Sequence, residues 1–280
     1  MRQLIINADD FGMSYEVNEG IKRCIDAGIV NSVSLMVNMP YFDDAVQYLR
    51  SKPHVSVGLH FNITEGSPMG TPKSRSALIR EDNNFYDWPY LAFKLLTHNY
   101  FPNEIKDALK TQYKKLEKTG LKITHIDSHN HIHLYPSIYK LVLDFATRKN
   151  IRSLRSRNFN ILMLTNRLRV IPTLKEIVIL LLCIINNRLF TKKNKEIIEI
   201  VGIYDMSWDG NLTKDKICRV IAHCREGITE VICHPAVLSK HGNPKFLKPR
   251  YQTLSILLDK SFKECLLKNN VQMYHRNNSK

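Results

Sequence analysis

Residues 3–28 read QLIINADDFGMSYEVNEGIKRCIDAG, and the fold is read outward from this stretch. An apolar LII core within residues 3–7 runs into Asp9, Asp10 and Gly12, the pattern of a buried strand that ends in a loop. Ser14 then stands where an N-cap belongs and Glu16 lies in the first turn. Val17, Ile21, Cys24 and Ile25 recur at helical spacing up to Gly28, a residue suited to a left-handed helix end. The stretch is therefore strand, loop, helix, with two carboxylates at the strand's C-terminal end.

The same alternation continues in both patterning and length. Strands are expected at 30–37, 55–61, 123–127, 151–155, 197–201, 230–233 and 271–274. Helices are expected at 42–49, 105–120, 137–147, 166–190, 214–224 and 251–268. Strands alternating with helices and lacking hairpin signals pair in parallel through right-handed crossovers. No Pro/Gly linker divides the series, so a single α/β domain over residues 1–280, a closed or nearly closed (β/α) barrel, is expected. Residues 62–100 carry Gly66, Pro68, Gly70, Pro72 and Pro89 and read as a long excursion with little regular structure. Tyr86, Trp88 and Tyr90 within it are either stacking platforms for a ligand or anchors of the loop to the barrel.

Composition bounds the function classes. The 280 residues are 44% hydrophobic and contain no low-complexity tract, which excludes collagen-like, coiled-coil and wholly disordered chains. The formal charge of +15 is denser in the second half, at Lys192-Lys193-Asn194-Lys195 and at 245–250. Such an excess attracts nucleic acid or anionic surfaces, or is simply a solvated face; no nucleic-acid-binding module accompanies it, so no specific nucleic-acid partner is expected. The six cysteines form no CxxC pair and are expected as reduced structural thiols. The first residues lack the apolar stretch of a signal peptide, and the apolar run at 177–185 is about half the ~20 residues that span a bilayer, so a cytoplasmic protein with no transmembrane segment is expected. The basic, apolar-centred helical segment at about 158–198 carries no motif and would contact a partner, a second subunit of a homodimer, or a bulky substrate.

The chemistry concentrates at residues 124–133, THIDSHNHIH. In an extended chain the odd positions His125, Asp127, His129, His131 and His133 share one face. Imidazole is the commonest protein metal ligand, and so dense a cluster is costly to bury without a cation; the alternative is an exposed His-rich loop. Residues facing the same way on a strand lie about 6.6 Å apart, so not all can ligate one ion. Asp9 and Asp10 add adjacent carboxylates, which on a strand end point to different sides, leaving one for a metal and the other as a base; alternatively the pair caps the following helix. His60 in GLHFN and His234 in CHP stand at further strand ends, the active face of a (β/α) barrel, where a lone histidine would otherwise be a core residue.

Four blocks in order, NADDFG at 7–12, GLHFN at 58–62, THIDSHNHIH at 124–133 and CHPA at 233–236, resemble the YdjC family of carbohydrate deacetylases, which includes the chitooligosaccharide deacetylases. The resemblance runs over nearly the whole chain. It implies an irregular TIM-like barrel and a divalent ion, Mg2+ or Zn2+, held by Asp10, His60 and His129, with Asp9 as the free carboxylate. It also implies removal of N-acetyl groups from amino sugars or oligosaccharides. On that chemistry Asp9 takes the proton of the attacking water, and His234, as imidazolium, protonates the departing amine. His125 and Asp127 orient these groups, while His131 and His133 either line the sugar site or satisfy one another. Two other readings compete: a metal-dependent hydrolase of phosphoesters or other amides, and a non-enzymatic basic barrel that binds nucleic acid or anionic surfaces.

Overall fold

Ser14 Oγ accepts a hydrogen bond from the Val17 amide at 3.3 Å, so the first helix begins where its cap sets it. Val17, Ile21, Cys24 and Ile25 then face the core, each aliphatic side chain contributing about 1.5–3 kcal/mol on full burial. Gly28, at φ +72°, ends the turn. A computed structural model describes residues 1–70, 76–97, 101–155, 174–190, 200–206 and 212–278. In chain order the elements are β1 (Arg2–Phe11), α1 (Tyr15–Asp26), β2 (Ser32–Leu35), α2 (Phe42–Leu49), β3 (Ser56–Phe61), α3 (Trp88–Leu96), α4 (Pro102–Glu117), β4 (Ile123–Ser128) and α5 (Pro136–Arg148). There follow β5 (Ser153–Leu154), α6 (Leu174–Phe190), β6 (Ile200–Asp205), α7 (Lys214–Ala222), β7 (Gly227–Cys233), α8 (Pro244–Leu258), α9 (Lys260–Lys268) and β8 (Gln272–Met273).

One curled parallel sheet runs β5-β4-β3-β2-β1-β7-β6. Its centre, β1, pairs with β2 on one side and β7 on the other. Among the described residues no ladder joins β5 to β6, so the barrel is irregular and incomplete. The expected eighth barrel strand is only the two-residue β8, which pairs with Gln3 and Leu4 at the start of β1.

The two faces of the sheet differ in a way that the strand-by-strand reading did not anticipate. Ile6, Ala8, Val33, Leu35, Val57, Leu59, Ile126, Leu154 and Val231 form a buried apolar face under the helices. The alternate positions are buried but polar: Asn7, Asp9, Ser32, Ser34, Ser56, His60, His125, Asp127, Ser153, Arg155 and Glu230. Period-two alternation therefore places a hydrogen-bonded polar core inside the curl of the sheet and an aliphatic core outside it.

Several expectations change. The excursion at 62–100 contains α3, capped by Asp87, whose Oδ1 accepts from the Tyr90 amide at 3.2 Å. The single helix expected at 251–268 is two helices, because Asp259 stops α8 and caps α9 by accepting from the Ser261 amide. Cys218 of α7 and Cys265 of α9 form a disulfide, correcting the all-reduced expectation; the two helices pack side by side and bring together cysteines 47 residues apart. Cys24, Cys183, Cys224 and Cys233 are buried and stand outside any disulfide. Of the segment at 158–198, α6 is described, with Leu181, Ile185 and Leu189 exposed along it; residues 156–173 and 191–199 lie outside the described residues. No helix among the described residues is long and apolar enough to cross a membrane.

Candidate active site

β1 does not end as a regular strand. Ala8 pairs with Val33 and Phe11 with Leu35, so one extra residue is inserted in β1, and Asp10 adopts φ +65°. Aspartate tolerates this region better than most residues, at a cost on the order of 1 kcal/mol. The bulge cancels the alternation that would send Asp9 and Asp10 to opposite sides. Both carboxylates reach His60 instead: ligand atoms of Asp10, His60 and His129 lie within 4.8 Å of one another, as do those of Asp9, His60 and Asp127.

Asp10 divides its two oxygens. Oδ1 faces His60 Nε2 at 3.2 Å and His129 Nδ1 at 2.9 Å, whereas Oδ2 accepts from Arg250 Nη2 at 2.7 Å. Burial disfavours the Asp10 charge, yet His129, Arg250 and His60 outweigh it and hold the carboxyl well below its usual range. His60 is oriented from behind, where Nδ1 bonds Asp127 Oδ1 at 2.7 Å. Burial opposes protonation of His60, but the carboxylates of Asp127, Asp9 and Asp10 prevail and push it up to about 10. With Nδ1 committed to Asp127, a neutral His60 would turn a lone pair on Nε2 toward the lone pairs of Asp10 Oδ1. A proton or a cation has to lie in that gap, and one carboxylate oxygen with two imidazole nitrogens suits Mg2+ less and Zn2+ or a similar divalent ion more. The second cluster is different, because its carboxylates already have a cation. Arg155 donates to Asp9 Oδ2 and Oδ1 at 2.6 and 2.7 Å and lies 2.7 Å from Asp127 Oδ2.

The predicted residues fall into three groups. Asp9, Asp10, His60, His129 and Asp127 converge, and His234 stands at the edge with Nε2 3.9 Å from Asp9 Oδ2. His125 lies in the polar core, with Nε2 3.2 Å from Ser34 Oγ, and Ser34 donates to Asp127 Oδ2 at 2.6 Å. Burial and the nearby Arg276 and Arg155 push the His125 imidazole well below its usual range, so it is neutral. The expectation that His131 and His133 share a face with His129 is not met. The strand stops at Ser128 and a 3-10 turn follows, in which Asn130 and His131 take φ of 53° and 54°. His133 turns back to bond Ser128 Oγ through Nδ1 and donates from Nε2 to the Arg155 carbonyl at 3.0 Å. Burial lowers it to about 3. It holds the chain just past β5, where Arg155 stands, and is fully buried.

Two site residues escaped the sequence reading. Arg155 closes the strand expected at 151–155 and stands just past β5, but the sequence reading did not single it out. Arg250 belonged to the basic run at 245–250, but the helix was expected to begin after Pro249. In the structure α8 begins at Pro244, with Asn243 Oδ1 accepting from the Lys245 amide, and carries Arg250 inward to Asp10. The rim is set by close packing. A Cβ on Gly20 of α1 would lie 2.5 Å from Ala236 Cα, so α1 is fitted against the loop that carries His234. Beyond His60, Asn62 Oδ1 accepts from the amides of Thr64 and Glu65 at 3.0 and 3.1 Å, and its Nδ2 donates to Asn38 Oδ1 and the Glu65 carbonyl. Gln112 of α4 brackets the Asn62 main chain, donating to its carbonyl at 2.6 Å and accepting from its amide at 3.0 Å. In the excursion, Tyr86 and Tyr90 stack on each other with centroids 3.8 Å apart.

Comparison with known proteins finds relatives over nearly the whole chain. A protein named carbohydrate deacetylase from Geobacillus stearothermophilus is 30% identical over 277 residues, covering 97% of this chain and 96% of the relative. Another of the same name, from Thermoanaerobacter pseudethanolicus (strain ATCC 33223 / 39E), is 26% identical over 282 residues, with 97% and 96% covered. The fold matches the crystal structure of an Enterococcus faecalis V583 protein described as a candidate cellobiose-phosphate cleavage protein, with TM-score 0.79, 22% identity and 99% and 98% of the two chains covered. The YdjC-like protein family matches residues 3–268, and this chain belongs to it.

Proposed function

We propose that this chain is a divalent-metal-dependent hydrolase that removes N-acetyl groups from amino sugars or oligosaccharides of the chitooligosaccharide type. The observation that carries the reading is the convergence of Asp10 Oδ1, His60 Nε2 and His129 Nδ1 beside Asp9 and His234. The names of the full-length relatives support the substrate class. Asp10, His60 and His129 would hold the ion, which when bound supplies Lewis acidity toward the acetamide carbonyl and acidifies water.

The remaining steps belong to the chain's own residues. Asp127 fixes the His60 ring and keeps its Nε2 aimed at Asp10. Arg250 occupies Asp10 Oδ2, so that Oδ1 alone is offered to the cation. Arg155 and Asn7 lock the Asp9 rotamer, Asn7 Nδ2 donating to Oδ1 at 2.7 Å, while Oδ2 carries a single hydrogen bond from Arg155 and retains a lone pair. Asp9 accepts the water's proton there. His234 delivers a proton to the departing amine, which leaves poorly as an anion.

The test measures acetate release from N-acetylated chitooligosaccharides and phosphate release from sugar phosphates, with and without chelator, on wild type and Asp10→Ala. Chelator-sensitive acetate release that is lost in Asp10→Ala is the expected result. Phosphate release alone would replace the substrate class, and activity indifferent to both chelator and Asp10→Ala would overturn the metal-dependent reading.

A further inference from the structure

The segment 272–278 crosses the N-terminal ends of the strands, opposite the site. The Tyr274 amide donates to the Leu4 carbonyl at 2.8 Å, Asn31 Nδ2 donates to the Tyr274 carbonyl, and the Arg276 amide donates to Ser56 Oγ. From this strap the Arg276 side chain enters the polar core and is 3% exposed. Its Nη2 donates to Glu230 Oε2 at 2.9 Å, Nε to Ser153 Oγ at 2.9 Å and Nη1 to Ser32 Oγ at 2.7 Å, with Asn7 Oδ1 at 3.5 Å from Nη1. The other oxygen of Glu230 accepts from Arg155 Nε and Nη2 at 3.1 and 3.0 Å, and Arg155 is the residue that clamps Asp9.

We propose that Arg276 is a positioning residue for Asp9, acting through Glu230 and Arg155 from the opposite end of the barrel; this rests on the assignment of Asp9 as the proton acceptor. Three buried carboxylates, Asp9, Asp127 and Glu230, draw on the guanidinium of Arg155. Arg276 satisfies Glu230 Oε2 and leaves Arg155 able to spend both terminal nitrogens on Asp9. Without it, Oε2 of the fully buried Glu230 loses its guanidinium donor, and Arg155 is the only other cation bonded to Glu230 among the described residues. Arg155 then turns toward Glu230 and gives up its two-point grip on Asp9. A second route runs in parallel: the Arg276 contact with Asn7 Oδ1 sets the amide so that Nδ2 points at Asp9 Oδ1.

The experiment compares full-length wild type, Arg276→Gln, Glu230→Gln and the double variant by acetate release from a chitooligosaccharide, by metal content and by crystal structure. In Arg276→Gln, kcat falls about 10- to 100-fold, as for a catalytic group displaced by about an ångström, with KM within about twofold and metal content unchanged. Its crystal structure has Arg155 drawn off Asp9. Adding Glu230→Gln removes the competitor for Arg155 and returns kcat to within about threefold of wild type, a rescue that a merely structural role for Arg276 would not give. Unchanged kcat in Arg276→Gln, an unrescued loss in the double variant, or an intact Arg155–Asp9 pair in the variant's crystal structure overturns the proposal. Should Arg276→Gln not fold, the double variant and Arg276→Lys, which keeps a cation beside Glu230, decide it: near-wild-type kcat in both supports it, and a loss in either beyond about tenfold overturns it. Wild type that releases no acetate refutes the deacetylase reading alone, and the crystal structures then decide the role of Arg276.

Discussion

The two ends of the barrel handle buried charge in opposite ways. At the N-terminal ends of the strands, both oxygens of Glu230 face guanidinium donors, and Arg276 is further tied to Ser32 and Ser153. At the C-terminal ends, Asp10 Oδ1 faces two imidazole nitrogens, and the group between them has to be a proton or an ion. A saturated network is a support, because any added ligand would have to break bonds already made. An unsaturated convergence of donors is a receptor. Carboxylates and cationic side chains thus build a closed network at one end and the candidate site at the other, and what sets Asp10 Oδ1 apart is that histidines, not an arginine, face it.

The strongest way to break this contrast is to remove the residue common to both ends. Arg155→Met leaves Asp9, Asp127 and Glu230 buried with too little positive charge, and unfolding in urea is expected to reveal a loss of about 3–5 kcal/mol together with loss of activity. Asp10→Ala strikes the receptor end alone. Activity should fall by more than the ~10- to 100-fold typical of outer-sphere changes, and metal analysis should find the ion gone while the circular dichroism spectrum stays that of the folded chain. Gly20→Ala sharpens the comparison by touching only the rim: the new methyl meets Ala236 backbone, and a stability loss of about 1–3 kcal/mol with reduced kcat is expected, because the loop bearing His234 must shift.

The smallest effect is one of slope. His133 is held neutral in the fold, with its value near 3 against 6.5 when unfolded. Between those values the unfolded chain binds the extra proton, so folding stability is full above pH 6.5 and declines as pH falls. Replacing it with Gln should flatten the acid limb of the stability profile by up to about 1.4 kcal/mol per pH unit, measured by denaturant titration across pH 3–7. An unchanged slope would mean that His133 is protonated in the folded protein.

Much of the barrel was legible because its signals are local. Ser14, the Val17/Ile21/Ile25 stripe and Gly28 carry the first helix, and runs such as VSVGLHF carry the strands. The convergence of Asp10, His60 and His129 was legible for a different reason: acid and imidazole at successive strand ends, in an order that resembles a known family. What the sequence did not disclose is whatever depends on partners far away in the chain. The polar alternation of SVS at 32–34 with Ser153, Arg155 and Glu230 has meaning only once the sheet curls and those side chains meet. Arg250 was missed because the helix was expected at 251–268, whereas α8 begins at Pro244 and runs on through an internal Pro249. His131 and His133 were misread because alternation holds only while a strand lasts, and two residues in the left-handed region ended it at Ser128.

Asn62 has a broader consequence. Its side chain knots the first residues of the excursion, and Gln112 staples its main chain to α4, two positions beyond His60. Strain or motion arising after Glu65 therefore meets a fixed post before it reaches the imidazole. Lengthening, shortening or exchanging the outer loop would alter which molecules are admitted without detuning the reactive centre, so that selectivity and chemistry can be varied independently in this scaffold.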